Sequence, residues 1–445
     1  MIRCDSRKVE YGDTFIALKG IKEDGHDYIL DAIKNGATKI IAEKGNYSVD
    51  TKIVCDTNLY LSNYLKKKYY DKISKLKIIG ITGTNGKTTT CYLIYQALNM
   101  LNIKCAYIGT LGFINLEYEE KLNNTTPDIL SLYEMLLYLS DNDYKYVAME
   151  VSSQGLAYNR VDSILFDYAV FTNLTIDHLD FHKTMENYAK EKQKLFKKLK
   201  PDGKTIINND DEYKDYFLQE DSITYGFSNS DYQIDSIDSK IDGTIFKVNG
   251  DSYHTKLIGK HNVYNILIVI IILKELKINN EKIKDLISKL NHARGRMDTI
   301  KYKNNLIIID YAHTPDAVEK IINSVKKIGN NLITVLGCGG NRDKSKRPIM
   351  GLVATKLSDK VIFTSDNPRF EDPNSIINDI IQKLDKKNYE IEVNRKKAIK
   401  KGIQKLNKND ILLILGKGHE DYQIISDQKY HFSDMEVVLA YLGDD

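Results

Sequence analysis

The apolar and polar positions in the last third of the chain follow two alternating patterns. Four short runs are almost wholly apolar, and segments with helical periodicity begin near Pro315, Pro348, Pro373 and Lys396. Strands that are apolar on both faces are typical of parallel sheets covered by helices on both sides. We therefore predict a doubly wound, Rossmann-like domain over residues 297–445. Its predicted strands are LIIID, NLITVLG, KVIFTSD and DILLILG.

The rest of the chain also alternates strands and helices. The short apolar runs YVAME, YAVFT and KTIIN are followed by a long apolar helix and by an amphipathic helix near Asn280–Leu290. This pattern predicts an α/β nucleotide-binding domain over residues 77–296. Residues 1–76 contain the strands GDTFIAL and TKIIAE, with helices near His26–Lys34 and Leu59–Tyr70. We predict that they form a small α/β domain.

The segment Ile78–Thr90, IIGITGTNGKTTT, predicts a strand, a glycine-rich turn and a helix. The backbone N–H groups of such a turn and the positive end of the helix dipole can bind phosphate oxygens. Lys87 can reach terminal phosphates, and the Thr88 hydroxyl is placed to bind Mg²⁺. Ile81 replaces the first glycine of the usual P-loop pattern, but G-x-x-G-K-T remains. The predicted nucleotide-binding residues are Gly83, Thr84, Asn85, Gly86, Lys87, Thr88 and Thr89.

Composition and charge argue against several classes of partner. Lys and Arg total 64 and Asp and Glu total 61, so bulk charge does not favour nucleic acid or an anionic membrane. The apolar run Ile266–Leu273 is too short to cross a bilayer, and the N-terminus shows no apolar signal segment. Five scattered cysteines without C-x-x-C spacing are expected to be reduced thiols. We expect a cytoplasmic monomer with small-molecule substrates.

Two polar residues follow predicted strands beside the glycine-rich turn. Glu150 ends YVAME, and His178 lies in TNLTIDHLD after the next strand. The carboxyl ends of parallel strands face bound phosphates in such sheets. Glu150 and Thr88 are therefore candidate oxygen ligands of a nucleotide-bound Mg²⁺, with His178 near a second ion. A surface carboxylate and a hydrogen-bonded loop histidine are the alternative interpretations.

Taken together, the motifs resemble those of the Mur ligases, the ATP-dependent amide-forming enzymes of peptidoglycan precursor assembly. TGTNGKTT, MEVSS, TNLTIDHLD, GKHNVYN, GRM and DYAHTPD occur in the family's order, and the resemblance covers essentially the whole chain. It implies three α/β domains, with a central P-loop ATPase domain and a C-terminal Rossmann-like domain. The ATP and Mg²⁺ constellation that it implies comprises Lys87, Glu150, His178, Asn262, Asn265, Arg296 and Asp310.

The resemblance also implies a modified lysine. In this family a lysine in the segment Y-x-x-A-K-x-x-L-F reacts with CO₂, and the carbamate supplies an anionic oxygen to a second Mg²⁺. The segment here is YAKEKQKLF, in which Lys192 has the matching spacing to Leu195 and Phe196, although Glu191 replaces the usual alanine. An unmodified lysine on a charged helix is the alternative.

Four segments, DSR, GHDY, NTTPD and EVSS, resemble one branch of the family. That branch adds the third amino acid to UDP-N-acetylmuramoyl-L-alanyl-D-glutamate. Gln154 and Tyr158 depart from the residues that are common in it. The implied contacts to the UDP-sugar substrate are Cys4, Ser6, Ile21, Lys22, Glu23, Thr125, Thr126, Ser152, Tyr158 and Arg160.

The segment SDNPRFEDP bears on the choice of amino acid. The planar guanidinium of Arg369 suits two-point recognition of a carboxylate. meso-Diaminopimelate has a carboxylate at its distal end, whereas L-lysine has none, so the same arginine also disfavours lysine. A solvent-exposed turn arginine is the alternative. The residues implied to contact diaminopimelate are Arg342, Asp366, Asn367, Pro368, Arg369, Gly416 and Glu420.

The predicted function is therefore an ATP-dependent ligase that adds meso-diaminopimelate through an acyl phosphate. A lysine-adding ligase of the same branch is the nearest alternative. A ligase like folylpolyglutamate synthase shares the ATP-binding domain but adds glutamate to folate. A regulatory protein that binds nucleotide without catalysis is a more distant alternative.

Overall fold

The computed structural model describes residues 1–20, 23–240 and 243–443. Its backbone forms two compact units. The first comprises Met1–Lys77, Pro127–Lys145 and Gln154–Leu165, and the second comprises Ile78–Thr126, Tyr146–Ser153 and Phe166–Asp445. The predicted domain boundaries after residues 76 and 296 stay predictions.

The first unit contains a parallel sheet of four strands in the order β1-β2-β3-β4. Helix α2 begins before the predicted Leu59 because the Asp56 side chain caps it by accepting a hydrogen bond from the Leu59 N–H. Short 3₁₀ helices lie at Ser6–Lys8 and Gly25–Tyr28. The other elements are β1 (Ile2–Arg3), β2 (Thr14–Ile16), α1 (Ile29–Lys34), β3 (Lys39–Ala42), β4 (Asp50–Ile53) and α2 (Thr57–Ile73).

The second unit contains an eleven-stranded sheet in the order β15-β14-β13-β12-β11-β10-β5-β9-β6-β7-β8. Strand β10 pairs in parallel with β5 and β11, and β6 pairs in parallel with β9. The strands are β5 (Lys77–Thr82), β6 (Cys105–Gly109), β7 (Gly112–Ile114), β8 (Glu119–Glu120), β9 (Tyr146–Glu150), β10 (Phe166–Phe171), β11 (Leu199–Asn208), β12 (Ile223–Gly226), β13 (Tyr232–Lys240), β14 (Gly243–Val248) and β15 (Asp251–Thr255).

Helices and 3₁₀ turns connect these strands. Helix α4 lies in the first unit, whereas α3 and α8 lie in the second. Further 3₁₀ turns lie at Lys194–Lys198 and Lys214–Tyr216. The helices are α3 (Lys87–Met100), α4 (Ile129–Asp141), α5 (Ser153–Ala157), α6 (Leu179–His182), α7 (Met185–Gln193), α8 (Lys260–Glu275) and α9 (Asn280–Lys289).

The sequence analysis missed the antiparallel strands β13, β14 and β15. Strand β13 pairs with β14, and β14 pairs with β15, both in antiparallel orientation. In β14 the buried side chains of Phe246 and Val248 alternate with exposed Ile245 and Lys247. This period-two pattern is typical of a sheet with one buried face. It is a weaker sequence signal of a strand than the continuous apolar runs of the parallel strands.

The C-terminal sheet has six strands in the order β16-β17-β21-β18-β19-β20, parallel except for β16. In β17, Ile308 packs into the core on one face and Ile307 into the core on the other, which confirms the predicted doubly wound α/β class. The elements are β16 (Asp298–Tyr302), β17 (Asn305–Asp310), α10 (Pro315–Val325), β18 (Leu332–Cys338), α11 (Lys346–Leu357), β19 (Lys360–Ser365), α12 (Pro373–Ile381), β20 (Tyr389–Ile391), α13 (Arg395–Gln404), β21 (Ile411–Leu415), β22 (Tyr422–Ile425), β23 (Gln428–His431) and α14 (Asp434–Gly443).

The segment Ile266–Leu273 of helix α8 is apolar on every side and is buried, with each residue at most 1 % exposed. Within the described part of the chain, no helix has the length and apolarity needed to span a bilayer.

Candidate functional site

The turn between β5 and α3 forms the phosphate cradle, which we define as residues 83–89. Its two glycines lie so close to neighbouring residues that a side chain at either position would clash. A Cβ on Gly83 would lie 1.9 Å from Thr172 Oγ1, and a Cβ on Gly86 would lie 2.7 Å from Asn265 Oδ1. Both glycines also have positive φ angles, of 147° and 88°. The backbone therefore approaches β10 and α8 at positions where a side chain would clash.

Two lysines meet at this cradle. Lys87 Nζ donates to the carbonyl oxygens of Gly83 and Thr84 at 2.9 and 2.8 Å. Lys192 Nζ, from α7, donates to the same Gly83 oxygen at 2.8 Å and lies 4.5 Å from the centroid of the Tyr188 ring. Among the described residues, neither ammonium forms an ion pair with a carboxylate. Two cationic groups thus share one neutral acceptor.

The surroundings disfavour the charge of both lysines. Burial lowers the pKa of Lys87, although Glu150 and Asp177 oppose this effect. Burial also lowers the pKa of Lys192 well below its usual range, and the nearby Lys87 charge lowers it further. The side chain of Lys192 is only 1 % exposed. An anion at this place would relieve the repulsion between the two groups.

Glu150 lies at the end of β9 and is fully buried. Its Oε2 accepts hydrogen bonds from the hydroxyls of Thr88 and Thr110 at 3.0 and 3.2 Å. Its Oε1 accepts a hydrogen bond from the Thr110 N–H at 2.9 Å and another from the Tyr107 hydroxyl. Burial and the Glu150 charge raise the pKa of Tyr107 well above its usual range, so this hydroxyl remains a donor. The structure therefore brings Glu150 to Thr88, as predicted, and adds Tyr107, which the sequence analysis missed.

His178 lies at the start of α6 with a positive φ of 53°. Its side chain is 47 % exposed, and Nε2 lies 3.5 Å from Asp177 Oδ2. Burial, followed by the charges of Lys87 and Lys192, lowers its pKa, whereas Asp177 opposes this. The charges of Lys87 and Lys192 thus both act on the His178 imidazole.

Asn262 and Asn265 lie one helical turn apart in α8 and are both buried. Asn265 Oδ1 accepts a hydrogen bond from the Thr90 hydroxyl at 3.1 Å, and its Nδ2 donates to Asn262 Oδ1 at 3.3 Å. Asn262 Nδ2 donates to the Ile258 carbonyl at 2.9 Å. Helix α8 is therefore joined by polar contacts to the helix that begins at the cradle.

Arg296 and Asp310 flank the connection to the C-terminal sheet. Arg296 Nη2 lies 3.5 Å from Thr88 Oγ1, and the guanidinium lies 4.9 Å from the centroid of the Tyr311 ring. Asp310 accepts hydrogen bonds from the N–H groups of Met297 and Ala312 at 2.8 and 2.7 Å. Burial raises the pKa of Asp310, and Arg296 opposes this. Asp310 thus holds the backbone of the connection, while Arg296 reaches toward the cradle.

Asp316 is a further contact that the sequence analysis missed. It lies in the first turn of α10 and accepts hydrogen bonds from Asn85 Nδ2 at 2.9 Å and from the Thr175 hydroxyl at 3.2 Å. Its carboxylate also pairs with Lys320 at 2.9 Å. In the sequence, Asp316 is marked only as the last residue of the motif DYAHTPD, and the motif does not indicate that Asp316 contacts Asn85 or Thr175.

The residues predicted to bind the UDP-sugar divide between the two units. In the first unit, Cys4 and Arg160 both lie near Asp128, which the sequence analysis did not single out, and the Arg160 guanidinium lies 5.5 Å from the centroid of the Tyr158 ring. Burial, followed by Asp128, raises the pKa of the Cys4 thiol well above its usual range. Ser6 is buried and Glu23 is exposed, whereas the predicted residues Ile21 and Lys22 lie outside the described residues.

In the second unit, the other predicted UDP-sugar residues lie beside Glu150. The Thr126 hydroxyl donates to the Glu150 carbonyl at 2.9 Å and lies 3.1 Å from Ser152 Oγ. Thr125 Oγ1 lies 3.2 Å from Thr110 Oγ1. These three residues are thus grouped around the end of β9.

The C-terminal cluster, which we define as Asp366, Asn367, Gly416, Lys417 and Glu420, lies where β19 and β21 end. Asn367 Nδ2 donates to Glu420 Oε2 at 2.8 Å, and Lys417 Nζ pairs with the same oxygen at 3.1 Å. A Cβ on Gly416 would lie 2.5 Å from Asp366 Oδ2. Four of these five residues were predicted from the sequence, and Lys417 was missed.

Arg369 lies next to this cluster with a positive φ of 52°. Its Nη1 donates to the Gly340 carbonyl at 2.8 Å, and its backbone N–H donates to the Ile424 carbonyl at 3.1 Å. Arg342 is exposed. A Cβ built on Gly339 would lie 3.7 Å from Arg342 Cγ and would also lie close to Arg369, so both arginine side chains lie beside Gly339. The structure therefore groups both predicted arginines, and it buries Pro368, which directly precedes Arg369.

An ion pair of the buried Arg347, which was not predicted from the sequence, joins the two loops that bear these arginines. Arg347 is fully buried and contacts Glu371 through Nη1 and Nη2, both at 2.9 Å. It also pairs with Asp379 at 2.8 Å and donates to the Gly339 carbonyl at 3.1 Å. Arg347 lowers the pKa of Glu371 to about 2. This bidentate pair fixes the loop after β18 against the loop after β19.

Three family models match the chain in sequence order. They are the catalytic domain of the Mur ligase family over residues 1–72, the Mur ligase middle domain over 81–273 and the Mur ligase glutamate ligase domain over 295–418.

The chain is also similar to individual proteins. It is 43 % identical over 464 residues to a UDP-N-acetylmuramoyl-L-alanyl-D-glutamate–2,6-diaminopimelate ligase of Clostridium perfringens, covering 99 % of this chain and 94 % of the relative. A solved structure of a ligase with that name is 33 % identical, with a TM-score of 0.73 over 100 % of this chain and 94 % of the other. Folylpolyglutamate synthase of Mycobacterium tuberculosis, complexed with ADP and AMPPCP, shares the fold, with 15 % identity and a TM-score of 0.66 over 80 % of this chain and 92 % of its own.

Proposed function

Because the chain belongs to the Mur ligase family, we propose that it is an ATP-dependent ligase that adds meso-2,6-diaminopimelate to UDP-N-acetylmuramoyl-L-alanyl-D-glutamate. One observation supports this most directly: Lys87 and Lys192 both contact the Gly83 carbonyl and lack a carboxylate partner among the described residues. The polyphosphate of ATP supplies the negative charge that this arrangement needs.

The reaction proceeds in two transfers. The D-glutamyl carboxylate of the UDP-sugar attacks the γ-phosphorus of ATP, so that a carboxylate–phosphorus bond forms, the bond to ADP breaks and an acyl phosphate results. Lys87 and the N–H groups of the phosphate cradle stabilise the charge on the transferring phosphoryl group. The amine of diaminopimelate then attacks the acyl carbon, phosphate leaves, and the amine loses a proton as the amide forms.

We propose Thr88 and Glu150 as ligands of a nucleotide-bound Mg²⁺, with His178 nearby. A hydroxyl and a carboxylate are hard oxygen donors, as Mg²⁺ prefers, and their oxygens are already 3.0 Å apart. When bound, the ion neutralises phosphate charge. Among the described residues no group of three His, Cys, Asp or Glu side chains could hold a metal alone, which fits an ion that takes its other ligands from phosphates and water.

Lys192 is proposed to be carbamylated. Burial and Lys87 lower its pKa, so its amine is neutral at lower pH than that of an ordinary lysine, and the neutral amine is the form that reacts with CO₂. The nitrogen bonds to the carbon of CO₂ and releases one proton to water. The product is an anionic carbamate, which would replace the repulsion between Lys87 and Lys192 by attraction.

ATP contacts are proposed for the cradle and for Asn262, Asn265, Arg296 and Asp310. The hydrogen bonds from Asn265 to Asn262 and from Thr90 to Asn265 support a connected site. The proposed UDP-sugar contacts are Cys4, Ser6, Ile21, Lys22, Glu23, Thr125, Thr126, Ser152, Tyr158 and Arg160. A monomer that works in the cytoplasm is also part of the proposal.

For diaminopimelate, we propose that Arg369 and Arg342 bind a carboxylate and that Asp366, Asn367, Gly416 and Glu420 of the C-terminal cluster bind the neighbouring ammonium. The two arginines lie on loops that Arg347 and Glu371 hold together. A bidentate guanidinium–carboxylate contact favours diaminopimelate over lysine, whose distal ammonium would be repelled.

The test is phosphate release from ATP with the UDP-dipeptide present and meso-diaminopimelate or L-lysine supplied in parallel. We expect release with diaminopimelate only. Release with lysine alone would leave the ligase reaction and overturn the specificity, whereas no release with either would overturn the proposed function. Arg369→Ala should weaken the use of diaminopimelate and leave ATP binding unchanged.

A further inference from the structure

Lys417 is a buried cation inside the C-terminal cluster. It follows Gly416 at the end of β21, and its side chain is 0 % exposed. Its Nζ lies 3.0 Å from Asn367 Oδ1, 3.1 Å from Glu420 Oε2 and 3.7 Å from Asp366 Oδ1. Every close polar contact of this ammonium in the described chain is therefore with a residue proposed to bind the amino acid.

The first consequence concerns the orientation of the Asn367 amide. Its Oδ1 accepts hydrogen bonds from Lys417 and from the Ile424 N–H, at 3.0 and 2.9 Å. Its Nδ2 donates to Glu420 at 2.8 Å. A rotated amide would direct its NH₂ group at both donors and its oxygen at a carboxylate. Lys417 and Ile424 thus determine which end of Asn367 faces Glu420.

The second consequence concerns Glu420. Its Oε2 accepts hydrogen bonds from both Lys417 and Asn367, which fixes the position of that oxygen. Burial raises the pKa of Tyr422, the Glu420 charge raises it further and the Arg369 charge opposes this, so both charged groups lie near this ring. One lysine facing the carboxylates of Asp366 and Glu420 leaves excess negative charge close to the Arg369 cation. Adjacent negative and positive groups complement the zwitterionic end of an amino acid.

We propose that Lys417 is a positioning residue for the amino acid substrate, because it orients Asn367 and the carboxylate of Glu420 toward the ammonium of that substrate. The inference rests on the proposed function. Lys417 does not contact the substrate and acts through Glu420, so its removal should change the binding of diaminopimelate and leave that of ATP unchanged.

The experiment is a double-mutant cycle of Lys417→Met and Glu420→Gln, with KM and kcat measured for diaminopimelate and for ATP. We expect each single variant to raise the KM for diaminopimelate by about 10-fold or more and to change the KM for ATP by less than about 2-fold. The double variant should be at most about 3-fold worse than Glu420→Gln, because the two changes remove one interaction. Multiplicative effects of the two changes would overturn the proposal.

Lys405→Met is the matched control, because Lys405 forms a 2.8 Å ion pair with Glu390 outside the C-terminal cluster. It should leave both KM values unchanged. If Lys417→Met does not fold, Lys417→Gln serves instead, since it retains a hydrogen-bond donor without the charge. A folded Lys417→Gln protein with the wild-type KM for diaminopimelate would overturn the proposal. Failure of the wild-type protein to release phosphate with diaminopimelate would instead contradict the proposed function.

Discussion

Lys192 beside the phosphate cradle and Lys417 inside the C-terminal cluster are both buried, and their charges have opposite surroundings. Lys192 donates to a backbone carbonyl and faces a second cation, Lys87. Lys417 lies between Glu420 and Asp366. Since an unpaired buried charge costs more than a paired one, the first region favours an anion from outside, whereas the second already holds its counter-charges in the folded chain. The phosphate cradle is thus a site whose positive charge is balanced only when an anion binds, whereas the C-terminal cluster is preorganised.

The largest expected effect tests the cradle. Lys87→Met should lower kcat/KM for phosphate release by about 10³-fold, because the transferring phosphoryl group loses a positive charge. The free energy of unfolding should not fall, since Lys87 has no carboxylate partner among the described residues. Steady-state kinetics and urea denaturation measure the two quantities, with the exposed Lys197→Met as control. Near-normal turnover would remove Lys87 from the chemistry.

The second prediction compares the two buried lysines directly. Lys417→Met should lower the free energy of unfolding by about 3–5 kcal/mol, because it leaves the carboxylates of Asp366 and Glu420 without their cationic partner. Lys192→Met should be neutral or stabilising, because it removes a charge that the surroundings disfavour. Both are measured by urea denaturation in bicarbonate-free buffer. A large loss of stability in Lys192→Met would show that the positive charge at the cradle is already compensated in the folded protein. The proposed difference between the two buried lysines would then be wrong.

The third prediction concerns the ion pair between Glu371 and Arg347, whose contribution to stability should depend on pH. The folded-state pKa of Glu371 is about 2, below its ordinary value of 4.5. The ionised Glu371 carboxylate therefore contributes fully to the free energy of unfolding above about pH 4.5, and this contribution is lost as the pH falls toward 2. Glu371→Gln should remove about 2–3 kcal/mol of stability at neutral pH and less at about pH 3. Denaturation curves at several pH values measure this, and an equal deficit at every pH would contradict the assignment.

The smallest effect is expected at an exposed pair. Lys121 and Asp421 form a 2.8 Å contact, but their side chains are 85 % and 50 % exposed. Lys121→Ala should change the free energy of unfolding by less than about 1 kcal/mol, and the change should vanish in high salt. A loss as large as that of Lys417→Met would mean that exposure does not separate strong from weak pairs in this protein.

The sequence by itself determined the elements whose reasons are local. The all-apolar strands predicted the C-terminal sheet, and G-x-x-G-K-T placed the cradle between β5 and α3, because these patterns depend on neighbouring residues alone. The antiparallel strand β14 was missed because its alternation is weak over six residues. Resemblance of motifs then named Glu150, Asn262 and Arg369, whose roles remain proposals.

Only the tertiary structure decided which distant residues share an atom. Lys87 and Lys192 are far apart in sequence but meet at one carbonyl, because α3 begins and α7 ends beside the turn that follows β5. Tyr107 and Lys417 have no distinctive sequence pattern, yet each contacts a carboxylate of a candidate site. Burial turns such contacts into shifted pKa values and fixed orientations, and burial depends on the packing of the whole domain.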